Sequence, residues 1–239
     1  MSKIYIKKQN PFIIKIILSL IIAMGGIYLP IASSCSAAAS SAQAPSPDIL
    51  LQRAINADLA GRPQQARAIY DHINHSEMSG IASVSSAVNL VTLGRFSDAA
   101  NAFTDISING KKRDQDYAQL WLLWLTARQW PDTQLSLQKE LQQRVQSYVW
   151  QYPWEQDIAR LYAGEGSPEA LLAAINNWNI PDSIKKDAFT EGLFFAGGYL
   201  QYVKHAPQEA ATLFNKNRTR LNKTSLEQPL IVQEFSANK

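Results

Sequence analysis

The chain repeats itself. At an offset of 33 residues Ala54 meets Ala87, Ala57 meets Leu90, Gly61 meets Gly94, Arg62 meets Arg95, Ala66 meets Ala99, Tyr70 meets Phe103 and Ile73 meets Ile106. A unit of that length cannot bury its apolar face alone and must stack on its neighbours. Each copy reads as helix, glycine turn, helix. The small Ala54, Ala66, Ala87 and Ala99 let paired helices approach closely. Tyr70 and Phe103 stand four places after the second Ala, on the same helical face, and fill the space beside it. Gly61 and Gly94 end the first helix, where a left-handed residue closes the turn.

That spacing resembles the tetratricopeptide repeat, with its small residue at place 8, Gly at 15, Ala at 20 and an aromatic at 24. Place 4, typically Trp, is Leu50 in the first copy and Ser83 in the second. Three further pairs are expected. The third opens with Tyr117, Trp121 and Trp124 on one helical stripe, breaks at Trp130-Pro131, and continues over about 132–149. The fourth covers about 154–163 and 167–176, with Ser167-Pro168-Glu169 as a helix start. The last covers about 182–203 and 207–221, where Ala210 and Phe214 repeat the Ala-then-aromatic spacing. No strand alternation stands out. The expectation is an all-α, tetratricopeptide-like solenoid of about five helical hairpins over residues 48–221, with 222–239 a flexible tail.

What precedes the repeats is different in kind. Of the 23 Lys and Arg residues, four (Lys3, Lys7, Lys8, Lys15) fall in the first fifteen, and the first of the 20 acids is Asp48. Residues beyond 44 therefore carry 19 basic and 20 acidic side chains, and the formal +3 belongs to the leader. A nucleic-acid-binding domain is not implied. An uncharged run from Ile16 to Ala32 and a small-residue stretch follow the lysines, the order of a secretory signal. An uncleaved anchor stays open, and either outcome exports the folded part. The single Cys35 excludes an intramolecular disulfide. Ala32-Ser33-Ser34-Cys35 resembles a lipobox, which implies lipid attachment at Cys35; ordinary cleavage further on is the alternative. Residues 1–35 are read as leader and 36–47, made only of Ala, Ser, Gln and Pro, as a tether.

Catalytic signals are absent from the pattern: no phosphate loop, HExxH or GxSxG stands in the chain. His72 and His75 share a face near a helix end, but without a third ligand they read as solvated polar residues, so neither metal nor cofactor is expected. Tyr117, Trp121, Trp124, Trp130, Tyr148, Trp150, Tyr152 and Trp154 crowd one stretch. Trp121 and Trp124 read as core. Trp150, Tyr152 and Trp154, around the turn at Pro153, and Trp130 are the candidates for partner contact, since Trp and Tyr dominate binding hot spots.

The order of elements resembles the NlpI-like lipoproteins. The resemblance is strongest over 117–214, through Leu120-Trp121-Leu122, Leu161-Tyr162-Ala163-Gly164, Ser167-Pro168-Glu169-Ala170-Leu171 and Phe194-Phe195-Ala196-Gly197-Gly198-Tyr199-Leu200. It implies a periplasmic adaptor without chemistry of its own, an outer-membrane lipoprotein holding peptidoglycan hydrolases or a processing protease. That family has a better-formed lipobox and a longer helical segment before its repeats, which serves its dimer, so a homodimer here stays open. Two other readings compete: an assembly factor or pilotin of a secretion or pilus system, and a cell-wall hydrolase.

Overall fold

A computed structural model of the chain describes residues 45–74 and 79–235. Among these residues there are eleven α-helices and no strand. They pack as consecutive pairs: α1 (Pro47–Leu59) with α2 (Pro63–Asn74), α3 (Ser79–Thr92) with α4 (Phe96–Asn109), α5 (Lys112–Gln129) with α6 (Gln134–Ser147), α7 (Pro153–Tyr162) with α8 (Pro168–Asn177), and α9 (Asp182–Gly198) with α10 (Pro207–Asn217). A π-helical turn, Tyr199–Val203, prolongs α9. An eleventh helix, α11 (Gln228–Phe235), follows the five pairs.

The turns explain the repeat. Gly61 and Gly94 both stand at φ +71°, a left-handed conformation that other residues resist. The Gly61 N–H donates to the Asp58 carbonyl and the Arg62 N–H to that of Ala57, each at 2.9 Å. Gly94 and Arg95 reproduce both bonds on Val91 and Leu90 at 2.9 Å. The orphan carbonyls of the helix end are thereby satisfied. Gly164 closes α7 in the same way, but the turn to Pro168 is longer, so this hairpin drops out of the 33-residue register.

The last pair keeps the register in disguise. Gly198, His205, Ala210 and Phe214 stand at places 8, 15, 20 and 24. His205 occupies the left-handed position at φ +51°. The third pair has no such turn: α5 ends on an extended Trp130 before Pro131, and α6 starts from Thr133, whose hydroxyl accepts from the Ser136 N–H at 3.3 Å.

Ala54, Ala66, Tyr70, Ala87, Ala99 and Phe103 are all fully buried. Phe103 stacks on Trp121 at 5.3 Å and an interplanar angle of 5°, carrying the second pair onto the third. Trp121 and Trp124 are core residues, packed with Phe194 and Phe195 of α9. A side chain at Gly198 would strike the Trp124 indole, so the glycine there is a packing requirement.

A separate small apolar cluster joins Ala54, Ala57, Ala66, Tyr70 and Ile73 of pair one to Ala82 of α3. The junction of the two pairs also carries buried polar contacts. The Arg67 guanidinium donates to the Ser86 carbonyl (3.0 Å) and hydroxyl (2.8 Å), and Asn89 donates to Asp58 (2.7 Å) and the Pro63 carbonyl (2.9 Å). Burial pushes the Asp58 carboxyl up to about 6, against the opposing hydrogen bonds from Asn89 and Tyr70.

One expectation is corrected. Residues 222–235 are not a flexible tail: α11 buries Leu230, Ile231 and Phe235 against the rest of the molecule. The period was there, since Glu227, Leu230, Ile231, Glu234 and Phe235 follow i, i+3, i+4, i+7, i+8. Two acids on the buried face mask it from an apolar-only reading.

Candidate partner-binding surface

The four aromatic candidates fall into two situations. Trp130 and Trp150 are half-buried, pack against the core, and have anchored indoles: Trp130 donates to the Ser136 hydroxyl at 2.9 Å, Trp150 to the Val145 carbonyl at 3.3 Å. Tyr152 and Trp154 sit together at 5.2 Å, and Trp178, which follows α8, completes the group at 6.3 Å from Trp154. Arg113 of α5 lies 5.8 Å over the Trp154 ring. The structure thus joins Tyr152 and Trp154 with Trp178 and leaves Trp130 apart from them, beside α6. Trp178 lies 24 residues from Trp154, outside the crowded stretch, and nothing local marks it.

Asp116 builds the turn that carries these rings. It is fully buried and accepts from the Tyr148 hydroxyl at 2.8 Å and from the backbone N–H groups of Gln151 and Tyr152 at 2.8 and 2.9 Å. Beneath the same end lie two more buried acids, Glu155 of α7 and Glu191 of α9. Burial first, and the Glu191 carboxylate second, push the Glu155 carboxyl up to about 9, against Arg113. The buried Tyr117 phenol is raised well above its ordinary range, by burial and by the charges of Glu227 and Glu191.

A second surface is formed by the first helices of the pairs. α11 lies on it. Residues at its start, Leu226 and Pro229, share a small void with Ile55 of α1 and Val88 and Thr92 of α3. The Tyr117 hydroxyl of α5 donates to Glu227 at 2.6 Å. Arg128, near the other end of α5, donates to both carboxylate oxygens of Glu234 at 2.8 Å. Tyr202 of the π turn bonds to the same carboxylate and accepts from Arg128. Phe235 stacks on Phe214 at 5.9 Å and lies over Gly197 of α9, where an added methyl would come within 2.6 Å of its ring. Burial pushes the Glu234 carboxyl up, against the opposing pull of Arg128.

Arg128 is held from the scaffold side as well. Its guanidinium lies 4.6 Å from the Phe96 ring, 5.1 Å from Trp124 and 4.9 Å from Tyr202. Its place among the three rings leaves one guanidinium nitrogen directed at the carboxylate. Sequence reasoning missed this arrangement because its parts come from α4, α5, the π turn and α11.

No protein-family model matches the chain, and no curated protein matches it significantly. Cys35 and His75 lie outside the described residues, and His72 is exposed. Among the described residues no group of three or more His, Cys, Asp or Glu could hold a metal ion, and no helix is long and apolar enough to cross a membrane.

Proposed function

We propose that this chain is an exported protein-binding scaffold of the bacterial envelope, a tetratricopeptide-like solenoid that holds peptidoglycan enzymes or a processing protease. The observation that carries the reading is the run of consecutive helical hairpins, with left-handed turns at Gly61, Gly94, Gly164 and His205. Stacked hairpins present a long face built from many helices, and such faces bind peptides and proteins. The lysine-led leader supports export, and the lipobox-like Cys35 supports a lipid anchor on the periplasmic side. The Tyr152–Trp154–Trp178 group is a second contact point, with aromatic rings of the kind that anchor interfaces.

The test is cross-linking and affinity capture from envelope extract with the full chain as bait. Wall hydrolases or a periplasmic protease should be enriched over an unrelated lipoprotein. If neither class is captured, the envelope-enzyme reading falls. For the anchor, Cys35→Ala should abolish membrane partition and change the mature size; unchanged size and partition remove the lipid.

A further inference from the structure

The face made by the first helices is already occupied, and the occupant describes its own receptor. α11 has eight residues, too short to persist alone in water, so docking holds it in place. Non-helical turns over 221–227 join it to the preceding 3-10 turn; this connection is pinned at Leu221, which is buried, and at Asn222, whose N–H donates to the Thr190 hydroxyl at 2.8 Å, so α11 detaches only beyond that point. Its contact face is Glu227-x-x-Leu230-Ile231-x-x-Glu234-Phe235, with Leu230 and Ile231 fully buried and the Glu234 side chain only 8% exposed. A helix serving only to close the core would present apolar side chains. Buried carboxylates are costly to desolvate and return specificity of register instead. Both acids meet groups that α11 does not itself position, Tyr117 and the Arg128 guanidinium held among its rings. Gly197 leaves the hollow that the Phe235 ring fills.

From these contacts we infer that the first-helix face is a receptor for an amphipathic helix, and that α11 occupies it in cis until a partner helix displaces it. The inference rests on the scaffold reading and names the partner's chemistry. The partner is a protein helix with two carboxylates seven residues apart. An aliphatic pair lies between them, and an aromatic follows the second acid. The first carboxylate takes the Tyr117 hydroxyl, the second chelates Arg128, and the aromatic ring enters the hollow over Gly197. Because the face is free only when α11 is off, the partner's apparent Kd is its intrinsic Kd divided by the open fraction, and binding weakens accordingly.

The probe is a synthetic, fluorescently labelled peptide of residues 222–239, titrated against the full chain by anisotropy. The intact chain should bind it weakly, and the Ile231→Asp chain, with α11 loosened, at least about tenfold more tightly. A peptide carrying Glu234→Lys should lose that binding. Equal affinity for both chains, or indifference to Glu234→Lys, overturns the inference. Hydrogen exchange on the unaltered chain stands independently of whether the variant folds. α11 amides should exchange at least about tenfold faster than those of α5, and exchange in step with α5 overturns the inference. A dimer in which α11 of one copy sits on the other also overturns it, in favour of self-association. Peptide binding with no envelope enzyme captured leaves the receptor standing and removes only the envelope assignment.

Discussion

Glu155 is 1% exposed, and its Oε2 has no hydrogen-bond partner. Its carboxyl is raised from 4.5 to about 9, so the folded chain binds that proton more tightly than the unfolded chain does. The sign follows: the contribution is fully present below about pH 4.5 and is lost as pH rises toward 9. Glu155→Gln mimics the protonated form and should stabilise the protein at pH 8, by on the order of 2 kcal/mol, with little effect at pH 4. Urea unfolding of both proteins at pH 4, 6 and 8 checks this, and parallel pH profiles would refute it. Asp116 gives the opposite case, since its oxygens cap the 148–152 turn. Asp116→Ala should cost about 2–4 kcal/mol and make that turn the first site of proteolytic nicking. Limited digestion with mapped cut sites reads the outcome; a first cut elsewhere rejects it. Neither acid was legible as more than a surface charge. The partners of Asp116 lie 32 to 36 residues away, and burial of Glu155 is set by α9.

At the scale of elements, helix positions were readable and their endings partly so. Periodicity and proline placed the five pairs, and Ser167 behaves as the expected cap, accepting from the Ala170 N–H at 3.2 Å. Glycine announced the turns at 61, 94 and 164. At the fourth left-handed turn the residue is His205, and side-chain type concealed a place the register predicts. The π turn also shifts the closing bond there, which runs from Ala206 to the Leu200 carbonyl at 2.8 Å, one residue wider than in the first two hairpins. A left-handed non-glycine costs about 1–2 kcal/mol. His205→Gly should therefore stabilise the chain by about 0.5–1 kcal/mol, while Gly94→Ala destabilises it by about 1–2 kcal/mol. Thermal melts of the two single variants test the pair, and a shift of the same sign in both would contradict the turn geometry. α11 was missed because its amphipathic face mixes acids with apolar residues, a pattern explained by the ion pair of Glu234 with Arg128.

For the molecule as a whole, the repeat gave the stacking of pairs but not where the stack is strong. The large apolar cluster runs from Ala87 through α4 to α10 and ends in α11. Pair one meets pair two through a smaller cluster that takes in Ala82 of α3 and through Arg67, Ser86, Asn89 and Asp58. Sub-global opening should begin there. Amides of α1 and α2 should exchange at a lower opening free energy than those of α5 and α9, as read by hydrogen exchange under native conditions; equal protection would show a single cooperative unit. That boundary also sets a mechanical order. A pull applied at the N-terminal end enters through α1 and reaches the small cluster and a handful of hydrogen bonds before it reaches the tryptophan core. The first hairpin is then a sacrificial link, one that yields and re-forms while the remaining pairs keep their shape.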